Sequence, residues 1–349
     1  MARVVDSTLF SLVHDFFKVY LPNQKHSSPH TIRAYQYSLE SLFDFVKTKK
    51  DISFSEITFK MIDHKMISAF LDWIEKEQRC SISTRNHRLN CIRSFYTYAA
   101  NMESTAVIHR AEINKVPLKK SSNMDIVEHM SESAVSAILE QPNTATKKGL
   151  RDQFLMILLY DTAARIQELL DIRLMDIHFG KNATMTLHGK GSKTRTVPLM
   201  EQTVEHFKNY AMVFHQDESI YSMQYLFYVL RNGQKKRMCE DNARRLIKAY
   251  GSSTKEICPE VPDNVHPHLF RHSRSMHLYQ KGMDLTLLSQ WLGHTQFETT
   301  LIYAHADTEL KRKAIESATD SSSPLKAKLN SERYIINDEE MLKRLYGLR

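Results

Sequence analysis

Four side chains in the last third of the 349-residue sequence have the types and the spacing needed to hold and attack a phosphate ester. His268 and Arg271 lie three residues apart, directly after Pro267, a residue that suits the first turn of a helix. Residues three apart share a helix face, so the imidazole and the guanidinium would point the same way, beside the unpaired N–H groups of the helix N-terminus. His294 follows a Leu-Gly pair, and Tyr303 lies nine residues after it. We predict that these four residues form one phosphate-binding cluster.

Tyr303 is the candidate nucleophile of this cluster. A tyrosine hydroxyl has an ordinary pKa of about 10, so it attacks phosphorus only with positive charge and a proton acceptor nearby. The neighbouring arginine and histidines would supply both. Two alternatives are an ordinary core or interface tyrosine, and a zinc site formed by His266, His268 and His272. Because Arg271 would repel a cation there and the motif itself contains no cysteine or carboxylate, we expect no metal.

Two upstream motifs carry further charged groups. Arg165 and Glu168 lie in D-T-A-A-R-I-Q-E-L, at the junction of two apolar helical stretches. An arginine fork can hold two phosphate oxygens while the carboxylate orients it, and a surface ion pair is the alternative. Further on, residues 183–199 alternate in polarity around the turn G-K-G-S-K-T-R, which predicts a β-hairpin. Lys190 in that turn would reach a nucleic-acid backbone, a base edge or a leaving oxygen, and Lys193 competes for that role.

The elements that position these residues are mostly helical, since apolar residues recur at helical spacing. Four amphipathic helices are expected within about residues 1–110, the first ending at Pro22 and the second beginning at Ser28. A polar, basic segment from Pro117 indicates a linker. The fourth helix would present a basic face that either follows a phosphate backbone or is simply solvated. That face consists of Arg85, Arg88 and Arg93.

Composition narrows the classes of protein. The formal net charge is +8 and the sequence pI is about 9.1, which suggests a polyanionic partner. The excess is concentrated in residues 1–120, which hold 18 lysines and arginines against 12 aspartates and glutamates. Four cysteines without paired C-x-x-C spacing indicate reduced thiols and a cytoplasmic protein. The N-terminal residues resemble neither a signal peptide nor a membrane span, so a membrane partner is not expected.

In order and spacing, the residues resemble the tyrosine recombinase, or phage integrase, family over roughly residues 8–310. The matching motifs are T-A-A-R-I-Q-E-L, G-K-G-S-K-T-R-T-V-P-L, P-H-L-F-R-H, L-G-H and T-T-L-I-Y-A-H. The family usually has T-G-x-R-x-x-E-L at the first of these. Ala163 therefore replaces a glycine, which we interpret as a change in packing.

The resemblance implies a mainly α fold with a small β-hairpin or sheet in the catalytic domain (α+β), built as a two-domain, C-shaped DNA clamp. Residues 1–115 would form a helical, SAM-like core-DNA-binding domain, and residues 116–126 a linker. The catalytic domain would span residues 127–318. Residues 319–349 would form a C-terminal tail that docks on a neighbouring protomer, or a disordered tail with an incidental helix.

The resemblance also implies the reaction. Tyr303 would attack the scissile phosphate to form a 3′-phosphotyrosyl link, while Arg165 and Arg271 neutralise the phosphate oxygens. The 5′-hydroxyl of a second cleaved duplex would then attack that link, so that strands are exchanged through a Holliday junction. No metal, ATP or other cofactor is expected. The remaining roles fall to His268 as proton acceptor, His294 as phosphate hydrogen-bond donor, Lys190 as proton donor to the 5′-oxygen and Glu168 as a supporting residue.

The expected partner is double-stranded DNA with paired recombination sites, bound by a homo-tetramer that is a monomer or weak oligomer when free. Alternatives are a type IB topoisomerase-like enzyme that nicks and reseals one strand, and a non-catalytic DNA-binding regulator with this fold. No catalytic position is broken, which argues against the regulator. Basic residues expected to contact DNA are Arg85, Arg88, Arg93, Lys193, Arg195, Arg244 and Arg245.

Overall fold

The computed structural model describes residues 4–120, 127–189, 193–306, 312, 315 and 339–345. The chain divides into two units, Met1–Met124 (unit 1) and Asp125–Arg349 (unit 2). Helices dominate both, and unit 2 also contains small antiparallel sheets. The predicted mainly α fold with a small amount of β-structure is confirmed. Part of the predicted linker, residues 121–126, lies outside the described residues, as does most of the predicted tail.

Unit 1 is built from helices whose apolar faces share one core of aliphatic and aromatic side chains. Side-chain oxygens of Asp6, Ser28, Asp63 and Ser81 accept backbone N–H groups in the first turns of the four longer helices, which explains where these helices begin. The predicted start of the second helix at Ser28 is confirmed. The helices are α1 (Ser7–Asp15), α2 (Pro29–Lys50), α3 (His64–Lys76), α4 (Ile82–Met102) and α5 (Val107–Asn114).

The predicted end of the first helix at Pro22 is wrong. Beyond α1 the chain continues as a π-helix, Phe16–Gln24, with Pro22 inside it. Proline normally breaks an α-helix because its ring meets the carbonyl four residues earlier, whereas a π-helix bonds residues five apart and turns more widely. Buried Phe16 packs against Phe95 and Tyr98 of α4 and so holds this segment on the core.

Unit 2 forms a second core around a central apolar helix. That helix, α7, ends at Thr162 just before the Arg165 motif, and a short helix follows directly. The unit thereby brings the ends of several helices together. Its helices are α6 (Glu132–Glu140), α7 (Lys147–Thr162), α8 (Ile166–Asp171), α9 (Glu201–Phe214), α10 (Glu240–Lys255), α11 (Pro267–Gln280), α12 (Leu285–Leu292), α13 (Glu298–Ala306) and α14 (Glu339–Leu345).

Strands β1 (Ile177–His178), β2 (Thr184–His188) and β3 (Thr194–Pro198) form an antiparallel sheet in chain order. The predicted β-hairpin over residues 183–199 is therefore found as β2 and β3, with Met185 opposite Val197 and both side chains buried. A second hairpin, β4 (Tyr228–Arg231) and β5 (Gln234–Arg237), was not predicted.

No helix within the described part of the chain is long and apolar enough to cross a membrane.

Candidate active site

The site lies in unit 2, where α11, α12 and α13 meet the junction between α7 and α8. Pro267 occupies the first turn of α11, as predicted. Arg271 follows one turn later and is buried. Its Nη1 donates to the carbonyl of Ala163 at 2.6 Å, and its Nη2 donates to the carbonyl of Leu292 at 2.7 Å. Burial and the charges of Arg165 and Arg195 lower the pKa of Arg271 to about 9. Arg271 thus ties α11 to the ends of α7 and α12.

The replacement of the usual glycine by Ala163 was interpreted as a change in packing, and the backbone conformation shows that this interpretation is incomplete. Ala163 lies in the left-handed region, with φ +46° and ψ +31°, and it ends α7. Glycine adopts this conformation without the steric cost that a Cβ brings. The replacement therefore changes the backbone energy as well as the packing, and it does so at the residue whose carbonyl accepts from Arg271.

Glu168 is the centre of a charged network. Its carboxylate accepts the backbone N–H of Arg165 at 2.9 Å and the Arg165 Nη1 at 2.8 Å. Burial opposes ionisation of Glu168, but hydrogen bonds and charge from Arg195, followed by hydrogen bonds from Arg165, outweigh it and lower the pKa to about 2. The Arg165 side chain is 41% exposed, so its remaining N–H donors face outward. Glu168 therefore contacts Arg165 and is itself buried, and phosphate binding by Arg165 stays a prediction.

Arg195 was expected to contact DNA, but in the structure its donors bond to other parts of the protein. Its Nη1 and Nη2 donate to the two oxygens of Glu168 at 3.1 and 2.7 Å, and its Nε donates to the carbonyl of Trp291 at 3.0 Å. The side chain is only 13% exposed. The reason lies in the fold: β2 contacts α8 and pairs with β3, which brings Arg195 to the buried Glu168 carboxylate. A buried carboxylate is costly without a cation beside it. Arg195 is therefore an internal link between Glu168 and the end of α12.

His294 is placed as predicted, directly after the residue that ends α12. Gly293 has φ +65° and ψ +43°, the left-handed conformation expected of such a glycine. His294 Nδ1 lies 2.8 Å from the Thr300 hydroxyl of α13. Burial and the charge of Arg271 lower the pKa of His294 to about 4. The ring is therefore neutral near pH 7.

His268 is more exposed than its neighbours on α11. Partial desolvation and the charge of Arg271 lower its pKa, so its ring too is neutral near pH 7 and can accept a proton. Its ring centre lies 6.4 Å from that of His266. Among the residues that the structure describes, no three His, Cys, Asp or Glu side chains are grouped closely enough to hold a metal ion.

Tyr303 lies on α13 and is 1% exposed. Its hydroxyl is 3.0 Å from Nδ1 of His272. Burial raises the pKa of Tyr303, and the Ser275 hydroxyl and the charge of Arg271 offset this only in part. From its sequence position His272 was considered only as a zinc ligand, so its contact with Tyr303 was not predicted. The available signal was its position beside Arg271, one turn after His268.

Lys190 lies outside the described residues, which resume at Lys193. Lys193 is exposed, and its carbonyl accepts the N–H of Gly189 at 2.7 Å across the base of the hairpin turn. A Cβ on Gly189 would lie 3.3 Å from Oε1 of Glu168. Gly189, the last described residue before Lys190, therefore lies beside the Glu168 carboxylate.

The expected DNA-contacting arginines of unit 1 are not on a solvated face. Arg85 and Arg88 are 4% and 5% exposed. Arg85 pairs with Glu75, while Arg88 donates to the Ser41 hydroxyl and stacks over Tyr37. These polar partners, which lie within unit 1, account for the burial of residues that were expected at the surface.

The remaining members of the expected DNA-contacting set have different surroundings. Arg93 donates from Nη2 to the carbonyl of Val116 at 2.5 Å. Arg244 and Arg245 on α10, by contrast, are exposed, and the charge of Arg244 contributes to the lowered pKa of His268. Arg244 is therefore close enough to His268 to act on it electrostatically.

Comparisons with known proteins identify the family. Residues 128–309 match the Phage integrase family, and residues 15–103 match the Phage integrase, N-terminal SAM-like domain. A putative integrase/recombinase of Sinorhizobium fredii, y4rC, is 29% identical over 92% of this chain and 94% of its own. The tyrosine recombinase XerC of Chlamydia muridarum is 28% identical over 86% of this chain and 96% of its own.

Solved structures show the same fold. The XerH site-specific recombinase bound to palindromic difH substrate superposes with a TM-score of 0.67 at 18% identity, covering 91% of each chain. The Tn1549 transposon integrase in complex with transposon right end DNA gives 0.62 at 16% identity, covering 88% of this chain and 99% of that one. The family match spans more than half of the sequence and contains the whole site from Arg165 to Tyr303. This chain therefore belongs to the phage integrase family, the tyrosine recombinases.

Proposed function

We propose that the protein is a site-specific DNA recombinase that cuts and rejoins double-stranded DNA through a covalent link to Tyr303. The observation that carries the proposal is electrostatic. Beyond the effect of burial, the charges of both Arg165 and Arg271 lower the pKa values of His268 and of His294. Two fixed cations and two neutral imidazoles therefore share one site, and Tyr303 lies close enough to influence Arg271. The DNA that the related XerH and Tn1549 proteins bind is the substrate class that this site fits.

In the proposed reaction the Tyr303 oxygen attacks the scissile phosphorus and the bond to the 5′-oxygen breaks, which leaves a 3′-phosphotyrosyl link. Arg165 presents exposed donors to the phosphate, and Arg271 adds positive charge behind it. Such preorganised donors are worth about a hundred- to a thousandfold in rate each. Neutral His268 accepts the tyrosine proton, and Lys190 returns a proton to the departing 5′-oxygen.

The Thr300 contact supports a role for His294 as a hydrogen-bond donor to the phosphate. If the Thr300 hydroxyl donates to Nδ1, the neutral ring carries its hydrogen on Nε2 and can donate it to a phosphate oxygen. The phosphotyrosyl link conserves the energy of the original ester, so the 5′-hydroxyl of a second duplex can reverse the step without ATP. Strands are then exchanged through a Holliday junction.

We assign the two units different tasks. Residues 1–115 would form the core-DNA-binding domain, residues 116–126 the linker, residues 127–318 the catalytic domain and residues 319–349 the tail that docks on a neighbouring protomer. A tetramer on paired sites provides the four active sites that two exchanging duplexes require. The four free cysteines are consistent with a cytoplasmic location. On the DNA, exposed Arg244, Arg245 and Lys193 would contact phosphates.

A strand-transfer assay tests the proposal. Two duplexes of different length, carrying sequences from either side of the protein's own gene and one end label, are incubated with the protein. Recombination predicts labelled products of exchanged length, which Tyr303→Phe abolishes. Tyr221→Phe, which changes an exposed tyrosine, is the matched control and should leave exchange intact. Nicking and resealing of a single duplex without exchange would instead support a topoisomerase-like enzyme.

A further inference from the structure

The Tyr303 side chain is buried, although the proposed reaction needs its hydroxyl to reach a DNA phosphate. The side chain is one of the largest fully buried side chains of the structure and packs with Met276, Leu288 and Leu292. A phosphate in DNA lies at the protein surface, whereas this hydroxyl is inside. Attack on phosphorus therefore requires Tyr303 to leave this position.

Two side chains of α11 offer polar contacts to the hydroxyl where it lies: Ser275, whose hydroxyl lowers the pKa of Tyr303, and His272. His272 Nδ1 on α11 is 3.0 Å from the Tyr303 oxygen on α13, and the two ring centres are 6.0 Å apart. A neutral imidazole with its hydrogen on Nε2 accepts the phenol O–H at Nδ1. A buried hydroxyl without a partner is costly, so this bond favours the buried position over alternatives that lack a partner.

We propose that His272 is a positioning residue that holds Tyr303 in the buried position through this hydrogen bond, and that the bond must break before Tyr303 reaches the phosphate. The proposal rests on the assignment of Tyr303 as nucleophile. A role for His272 as general base fits the structure less well. Burial and the charges of His268 and Arg271 lower its pKa to about 4, which makes it a weak proton acceptor near pH 7.

Chemical modification of the full-length protein without DNA tests this directly. Tyrosines are nitrated with tetranitromethane, and each site is quantified by peptide mass spectrometry. Tyr221, which is 81% exposed, serves as the internal reference. In the wild type, Tyr303 should be strongly protected relative to Tyr221. His272→Leu removes the acceptor and should raise Tyr303 nitration about two- to tenfold, the population change that one net hydrogen bond supports. His272→Asn places an amide oxygen near the former Nδ1 and should restore protection.

His277→Leu is the matched control, because His277 lies buried on the same helix but bonds to Tyr160 and Met130. It should leave Tyr303 protection unchanged at a temperature where all variants are folded by circular dichroism. Equal increases in both leucine variants would indicate general loosening and overturn the proposal. Unchanged protection in His272→Leu would overturn it as well.

Covalent trapping on a nicked duplex then separates the two roles of His272. With saturating DNA, release of Tyr303 predicts a first-order trapping rate in His272→Leu that equals or exceeds the wild-type rate. A slower rate with unchanged nitration would make His272 a general base and refute the proposed positioning role. Nitration is measured without DNA. Its result on the His272–Tyr303 contact therefore remains valid even if trapping shows that another residue is the nucleophile.

Discussion

Arg195 forms a bidentate ion pair with Glu168, with Nη–Oε distances of 3.1 and 2.7 Å, and Glu168 in turn holds both the backbone and the side chain of Arg165. The position of a proposed phosphate ligand thus depends on a second arginine on a different element. Since Nε of Arg195 also donates to Trp291, the same side chain fixes the end of α12 beside His294. Arg195 connects three parts of the site.

Replacing Arg195 should therefore destabilise the fold and slow cleavage together. Arg195→Ala leaves the Glu168 carboxylate buried without this partner, which typically costs about 3–5 kcal/mol. Arg195→Lys keeps the charge but loses the fork, so its effect should be smaller. Urea denaturation measures the free energy of unfolding. The control is Arg244→Ala on the exposed face of α10, where loss of the Glu240 pair should cost less than about 1 kcal/mol.

Acid should weaken the fold through His294. Its pKa is about 4 in the folded protein against an ordinary value of 6.5. Between these values the unfolded chain binds a proton that the folded protein does not, so stability falls as the pH falls from 6.5 to 4. His294→Asn keeps an acceptor for Thr300 but cannot titrate. The loss of unfolding free energy between pH 7 and pH 4 should be smaller in this variant by up to about 3 kcal/mol. If wild type and His294→Asn lost the same unfolding free energy between pH 7 and pH 4, the lowered pKa of His294 would be contradicted.

Glu168 changes stability in the same direction as His294, but over a lower pH range. Its folded pKa of about 2 is depressed from 4.5, so its contribution to stability is present above pH 4.5 and is lost as the pH falls toward 2. The His294 comparison between pH 7 and pH 4 therefore lies mostly above the range in which Glu168 titrates.

Ala163 should tolerate glycine but not a branched residue. Glycine removes the steric cost of the left-handed backbone and loses one buried methyl group, so Ala163→Gly should change the unfolding free energy by less than about 1 kcal/mol. Ala163→Val combines a disfavoured φ with overpacking of a fully buried position and should cost about 2–4 kcal/mol. It should also slow cleavage, because the Ala163 carbonyl accepts from Arg271. Thermal unfolding of both variants measures the contrast, and equal losses would contradict it.

Gly293 should not tolerate alanine. Its φ is +65°, and a Cβ there would lie 3.0 Å from Cδ of Arg195 and 3.2 Å from its Nη1. Gly293→Ala should cost about 1–2 kcal/mol in stability and should reduce cleavage by displacing Arg195. Gly180→Ala is the control, since no described heavy atom lies within 4 Å of the added Cβ. It should change stability by less than about 0.5 kcal/mol, and cleavage should be unaffected.

Local sequence signals predicted the features that depend on local chemistry. Ser28 followed by proline begins α2, alternation over residues 183–199 forms a hairpin, and glycine ends α12 before His294. The second hairpin was equally readable, because Asn232 and Gly233 are a favoured two-residue turn.

Features that depend on distant partners could not be predicted in this way. The sequence marks Arg85 and Arg195 as basic but does not show that Glu75 and Glu168 lie beside them in the fold. A surface role and an internal ion pair have the same local pattern. His272 is a similar case, since its contact with Tyr303 joins residues 31 positions apart. Only the packing of α11 against α13 reveals it.

Peptide mapping of the trapped complex shows directly whether Tyr303 forms the covalent link to DNA. The protein is incubated with nicked duplexes in the presence of a chelator, the complex is digested with protease and nuclease, and the modified peptide is sequenced by mass spectrometry. We expect a nucleotide joined through its 3′-phosphate to Tyr303, and no adduct in Tyr303→Phe. An adduct on another residue, a link through a 5′-phosphate, or a covalent complex that persists in Tyr303→Phe would contradict it.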